Sequence, residues 1–317
     1  RARVDGKPVA ICRLKRVASD LRDDFRHLLP PIPAKKNGKR IALIGAGPVS
    51  LTVANDLMPL GYECVMFEKG PRPGGLMRVN IPSFRLPAAV LDEEIAAIID
   101  MGVDLRCNTH IESMKALLAE GYDAVFVGTG APKAKDMDIR GRWDAKEQIH
   151  LGIEWLAAVH FEHVKTIGER VLVIGVGNTA MDCCRTAKRL GGKDVKVMAR
   201  RTRQHFKASP WELEDAEEEQ VEIVENHVPR RFVIEQGRLV GMEFDRVRWA
   251  DGPDGRQQST IIDSTVIPCD EVILAIGQEN AFPWIERDIG IDFNEKGMPV
   301  VSRTTFQCTR EGVFFGG

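Results

Sequence analysis

Apolar and polar positions follow two rhythms along this chain, and glycine marks most of the switches between them. Apolar segments too short for helices recur at residues 41–44, 64–67, 124–127, 171–174, 195–199 and 272–276, and read as strands. Gly45, Gly128, Gly175 and Gly277 each follow one of them closely. Helical spacing of apolar residues appears between them at 51–57, 91–101 and 181–190, and Pro59 predicts an early end for the first of these helices. At the start, Ile11, Leu14, Val17, Ala18, Leu21, Phe25 and Leu28 predict an amphipathic helix, ended by Pro30, Pro31 and Pro33 and packed on the next domain. Later, the acidic stretch 211–225 presents Leu213, Ala216 and Val221 as a buried edge. Short alternating segments lie at 232–234 and 239–244, with a polar hairpin around 250–258. Val313, Phe314 and Phe315 open one more strand, which runs into Gly316 and Gly317. This strand, glycine turn, helix alternation predicts an α/β fold with two Rossmann-like dinucleotide-binding domains.

The first glycine turn carries candidate chemistry. Gly45 permits a tight turn after residues 41–44, Gly47 lets backbone approach a pyrophosphate, and Pro48 suits the first turn of a helix, where its missing N–H has no partner to lose. Ser50 stands where a third glycine is usual and adds a small side chain at the helix–strand contact. Glu68 follows Gly47 by 21 positions, at the end of the next apolar run, where an acid accepts hydrogen bonds from a ribose. Beyond it, residues 70–75 form a Gly/Pro loop, and residues 81–87 an extended segment with Pro82 and Pro87. Tyr122 to Gly130 reads as a strand entering another glycine turn, with Gly128 and Gly130.

The second turn differs in one decisive place. Gly175, Val176, Gly177, Asn178, Thr179 and Ala180 lead from strand to helix, but the next strand ends in Arg200 and Arg201 and not in an acid. Guanidinium pairs suit a 2′-phosphate, and a charge-assisted hydrogen bond is worth about 1.5–3 kcal/mol, so one such contact favours NADPH over NADH by about ten-fold or more. Lys207 and Arg203 add positive charge nearby.

Net charge of −2 and a pI near 6.4 give no sign of a nucleic-acid surface, and no apolar run reaches the length of a membrane span. Seven scattered cysteines without C-x-x-C spacing argue for reduced thiols in a cytoplasmic setting, against a zinc or cluster site within residues 1–317 and against a redox disulfide. Adjacent Cys183 and Cys184 on a helix read as small buried residues. A start at Arg1 and a stop at Gly317 read as an interior portion of a longer polypeptide.

Gly45 to Pro48, Gly74-Gly75-Leu76, Ile81-Pro82-Ser83-Phe84-Arg85-Leu86-Pro87, Gly177 to Asp182, Arg200-Arg201 and Ala275 to Gln278 occur in an order that resembles the glutamate synthase small (beta) subunit family. That family includes the electron-input half of dihydropyrimidine dehydrogenase. The resemblance implies an N-terminal helix and linker at 1–37, an FAD-binding domain at 38–140 and 267–317, and an inserted NAD(P)-binding domain at 141–266. It implies FAD contacts at Gly47, Glu68, Leu76, Arg85 and Ile111, with Gly75, Gly128, Gly130 and Gly317 around them. It implies nicotinamide-nucleotide contacts at Asn178, Thr179, Ala180, Arg200 and Arg201, with Lys207 and Ala275 to Gly277 beside them. The function implied is a flavoprotein electron-transfer subunit, exchanging hydride between NADP(H), favoured over NAD(H), and FAD, with single electrons passing to or from an iron–sulfur protein or catalytic subunit of a larger complex. The cofactors carry that chemistry, so no catalytic side chain and no metal ligand is named. A stand-alone NAD(P)H-dependent quinone or ferredoxin reductase, and a nucleotide-bound scaffold subunit, are the alternatives.

Overall fold

A computed structural model of the chain describes residues 9–24, 26–28, 30–251 and 257–316. Two five-stranded sheets organise it, and each is built around one of the glycine turns. In the first, β1 (Arg40–Ile44), β2 (Glu63–Phe67), β3 (Asp104–Arg106), β4 (Ala124–Val127) and β15 (Val313–Phe315) run parallel in the order β15-β4-β1-β2-β3. The second orders β6 (Ile149–Leu151), β13 (Glu271–Leu274), β7 (Arg170–Ile174), β8 (Asp194–Met198) and β9 (Glu222–Val224) as β6-β13-β7-β8-β9, again parallel. In both sheets the direction of winding reverses beside the strand that carries the glycine turn, which opens a crevice at its carboxyl end.

Alternation along the strands builds a core on each side. Ile41 and Leu43 face one way, against α2 (Pro48–Leu57) and, beyond the short α3 (Leu76–Val79), α4 (Ala88–Ile99). Ala42 and Ile44 face the other way, against α5 (Met114–Leu118) and the Phe282, Ile285 and Ile289 turns. In the second sheet, Val171 and Val173 pack on α6 (Gly152–His160), α7 (Asn178–Arg189) and α8 (Pro210–Glu218), with Cys183 and Cys184 fully buried among them. Burial pushes the Cys184 thiol up to about 12, so neither cysteine works as a ready thiolate. Leu172 and Ile174 pack on a three-stranded antiparallel sheet of β10 (His227–Glu235), β11 (Arg238–Asp251) and β12 (Gln257–Pro268). A turn of 3-10 helix containing Pro59 follows α2, as its position predicts.

Three expectations change. The first helix, α1 (Ile11–Asp20), stops short of Leu28, and Ile11, Leu14 and Val17 are exposed and not packed on the body. Asp20, Asp23 and Asp24 crowd the negative end of that helix dipole, which disfavours its continuation, and Phe25 lies outside the described residues. The segments at 232–234 and 239–244 are parts of much longer strands, and the tip of the hairpin predicted around 250–258 lies partly outside the described residues. The return to the first sheet comes later than Ile267. β12 is still paired with β11 up to Pro268, and β13 sits between β6 and β7 in the second sheet, where Val272, Ile273 and Leu274 are buried on both faces. The chain crosses back after Leu274, where β14 (Gln278–Glu279) pairs with β5 (Lys133–Ala134).

Candidate functional site: an enclosed cleft and an open cationic turn

At the first turn, Gly45 has φ of +88°, and a Cβ there would stand 2.8 Å from the Gly128 carbonyl oxygen, so only glycine lets β1 and β4 end this close together. Ser50 fits because its neighbour is also glycine: its side chain is fully buried beneath Gly128, where an added Cβ would meet Oγ at 2.2 Å. Gly47 caps α2, with Pro48 in its first turn. The Glu68 carboxylate fastens this turn to the next loop, accepting from the Ala46 N–H at 2.9 Å and from the Gly70 N–H at 2.7 Å. Each oxygen retains acceptor capacity for a hydroxyl.

Around these groups lies a cleft of about 1030 Å³, lined by Gly45, Gly47, Pro48, Glu68, Gly75, Leu76, Ile111, Gly128 and Gly130 among others. That size sits at the upper end of the range for small-molecule sites. Two features fit the dinucleotide expected there. A Cβ on Gly75 would lie 3.0 Å from Gly47 Cα, so glycine at 75 lets the loop pass this close to the turn and keeps the floor clear. Asn80 Oδ1 and Thr129 Oγ1, both lining the cleft, are buried without a hydrogen-bond partner among the described residues. Buried polar atoms are ordinarily satisfied, so each offers a ligand a hydrogen bond.

The sequence missed a whole wall. Ile153, Glu154, Ala157 and His160 of α6 line the same cleft, although α6 packs on the second sheet. Asn80 Nδ2 donates to the Ile153 carbonyl at 2.5 Å and ties the two units at this wall. Burial, then the charges of Arg78 and Arg72, hold the His160 pKa below its ordinary value. No local spacing in 152–160 announces this role, because the helix reaches the cleft only through the packing of one unit on the other.

Arg85 lies elsewhere. It is absent from the cleft lining, and its guanidinium bonds Asp182 at 2.6 Å and also Glu212. Both carboxylates are buried, on α7 and α8, and Phe84 beside it lies under Arg189 and Arg185, 3.8 and 5.0 Å from the ring centre. Contrary to the extended form its prolines predict, the segment turns between Pro82 and Pro87, where the Arg85 and Leu86 N–H groups donate to the Pro82 carbonyl, and this turn carries both side chains away from the cleft and onto the second unit. Residues 81–87 and 177–182, the two motifs most specific to the resemblance, thus meet each other.

The second turn has the same covalent logic in a more open setting. Gly175 has φ of +128°, and a Cβ there would stand 2.2 Å from the Ala275 carbonyl oxygen. Gly177 is different: nothing lies within 4 Å of where its Cβ would be. Asn178 and Thr179 begin α7, and Ala180 is buried behind them. Asn178 Oδ1 accepts from the Ser209 N–H at 2.9 Å, while the Lys207 and Ala208 N–H groups both donate to the Val176 carbonyl, so the loop before α8 is folded onto the turn. Among the described residues, Arg200, Arg201 and Lys207 have no carboxylate partner. Arg203, expected to join them, is instead paired with Glu217. Gly277 has φ of +119° after β13, and its carbonyl accepts from the Lys135 N–H. Gly317 lies outside the described residues.

Residues 118–317 match the family described as pyridine nucleotide-disulphide oxidoreductase. The NADP(+)-dependent formate dehydrogenase subunit beta of Moorella thermoacetica is 33% identical, over 98% of this chain and 45% of its own length. The NADPH-Fe(3+) oxidoreductase subunit beta of Geobacter sulfurreducens is 35% identical, over 90% of this chain and 44% of its own length. The glutamate synthase [NADPH] small chain of Halomonas elongata is 36% identical, over 88% and 62%. The chain thus spans about half the length of such relatives. Among solved structures, FprA from Mycobacterium tuberculosis in complex with NADPH shares the fold at 16% identity, with a TM-score of 0.71 over 88% of this chain and 78% of that one. No described helix is long and apolar enough to cross a membrane. The chain belongs to the pyridine nucleotide-disulphide oxidoreductase family, and within it is similar to the glutamate synthase small chain and the beta subunits of NADP-dependent complexes.

Proposed function

We propose that this chain is the flavoprotein part of a larger oxidoreductase, taking hydride from NADPH or giving it back, with FAD held in the enclosed cleft. One observation carries the reading: two glycine turns sit at the carboxyl ends of two parallel sheets, the enclosed one fastened by an acid and the open one flanked by cations without a carboxylate partner among the described residues. When bound, FAD supplies the step between a two-electron hydride donor and a one-electron partner. The chain's own residues bind and orient. Glu68 accepts from ribose hydroxyls, and the α2 N-terminus behind Gly47 offers free N–H groups to a pyrophosphate. Asn80 and Thr129 satisfy polar atoms of the ligand, and Leu76, Ile111, Ile153 and Ala157 exclude water. At the second turn, Arg200, Arg201 and Lys207 select the 2′-phosphate of NADP(H) as substrate.

We keep the unit boundaries implied by the resemblance as our proposal, with residues 267–274 moved to the 141–266 unit because β12 and β13 pair within it. The names of the relatives, several of them subunits of NADP-dependent complexes, support a partner subunit, with an iron–sulfur module as the chemistry that accepts single electrons. A soluble, cytoplasmic complex is the setting we propose. Anaerobic titration of the full-length protein tests the reading. Bleaching of a bound flavin by NADPH, with NADH slower, is the expected result; a flavin that neither nucleotide bleaches contradicts it.

A further inference from the structure

Trp249 makes two contacts that the cofactor reading does not use. It lies near the far end of β11, opposite Ser259 of β12. Its ring packs on the Arg201 guanidinium, 4.5 Å from the ring centre, and its indole N–H donates to the Arg200 carbonyl at 3.0 Å. One side chain therefore holds both members of the arginine pair, Arg200 through its backbone and Arg201 through its head group. The strand reaches that far with the right face because Val247, buried after the register irregularity at Arg246, sets the side on which Trp249 lies two positions later.

How an arginine is held decides what it can still do. Arg185, Arg189 and Arg203 are held by carboxylates, which occupy their N–H groups and neutralise their charge. An aromatic face holds a guanidinium in plane and leaves both its charge and its edge N–H groups available. Ordering a free arginine on binding costs rotamer entropy, and a stack already made removes part of that cost. We propose that Trp249 is a specificity-determining positioning residue, which presents Arg200 and Arg201 to the 2′-phosphate of NADP(H). This rests on the reading of the second turn as the nicotinamide-nucleotide site.

The test is calorimetric binding of NADPH, NADH, 2′,5′-ADP and 5′-AMP to the full-length protein and to its Trp249→Ala, Trp249→Phe and Arg201→Ala variants, with thermal melting alongside. Trp249→Ala is expected to weaken NADPH and 2′,5′-ADP by about three- to ten-fold, with NADH and 5′-AMP within about two-fold of the parent. Trp249→Phe keeps an aromatic face, loses the indole N–H and part of the ring, and is expected to fall between the parent and the alanine variant; it also carries the test if the alanine variant does not fold. Equal weakening of both nucleotides, or no weakening of either, overturns the proposal. If Arg201→Ala abolishes the preference for the 2′-phosphate while both Trp249 variants keep it, the role of Trp249 alone fails. If Arg201→Ala also keeps it, the reading of the site fails as well.

Discussion

The two glycine turns are made by the same backbone trick and finished in opposite ways. At the first, the polypeptide closes over the turn: loops 70–76 and 109–111, the Gly128 to Pro132 segment and a helix borrowed from the other unit wall a cleft of about 1030 Å³. Its acid is already engaged with backbone N–H groups, so the site is set before any ligand arrives. At the second, Gly177 is uncovered, as Gly47 is at the first, and Arg200, Arg201 and Lys207 have no carboxylate partner among the described residues. A walled site with orphaned polar atoms suits a resident group, whereas an open site with standing positive charge suits a ligand that arrives, is selected and leaves.

That contrast can be broken at the glycines first, where the largest effects lie. Gly175→Ala drives a Cβ into the Ala275 carbonyl from a left-handed φ, and is expected to destabilise the chain by about 3–5 kcal/mol, seen as a lowered melting point or loss of soluble protein. Gly177→Ala meets nothing, and is expected to leave melting within about 1 kcal/mol while weakening NADPH several-fold, because the proposed site brings the nucleotide up to that Cα. A melting change at Gly177 as large as that at Gly175 would remove the distinction between turn and binding surface.

The junction of the units comes next. Arg85→Ala leaves the buried Asp182 and Glu212 carboxylates without their shared partner, and is expected to cost about 3 kcal/mol in chemical denaturation, with flavin per folded molecule unchanged. Loss of flavin without loss of stability would return Arg85 to the cofactor role that its motif implies.

A smaller effect comes from Asp182. Burial raises its pKa from 3.8 to about 6, against the opposing pull of Arg85. The folded chain then holds this proton more tightly than the unfolded one, so the contribution to stability is complete below the unfolded value and is lost as pH rises through about 6. Stability of the parent minus that of Asp182→Asn is expected to fall by about 2 kcal/mol between pH 4 and pH 7. A difference that is flat, or that rises, contradicts the assignment.

What the sequence made legible depends on the range of each interaction. Gly45, Gly47, Glu68, Gly175 and the strands around them are local devices, so their spacing exposed them before any fold was in hand. Ile111, Gly128 and Gly130, distant in sequence from the first turn, come together in the cleft lining, where the resemblance alone groups them with it. Arg85 could not be placed in this way, because its partners lie 97 and 127 positions away and two roles fit the same motif. The α6 wall depends on packing between units and the Trp249 contacts on two segments of one unit brought together from 49 positions apart, which no period of 2 or 3.6 encodes. The strands β10 to β12 were under-read because charged positions interrupt their alternation, and cross-strand pairs such as Arg246 with Asp263 make those charges compatible with a sheet.

The central claim is a division of labour: the enclosed cleft retains FAD, and the cationic turn chooses the nucleotide. The most direct measurement is the rate of anaerobic flavin reduction by NADPH and by NADH in the full-length protein and in an Arg200→Ala, Arg201→Ala double variant, with flavin content measured on the same samples. The account predicts unchanged flavin content, an unchanged NADH rate, and loss of at least about ten-fold of the NADPH advantage. An NADPH advantage that survives the double substitution, or flavin lost along with it, would contradict the account.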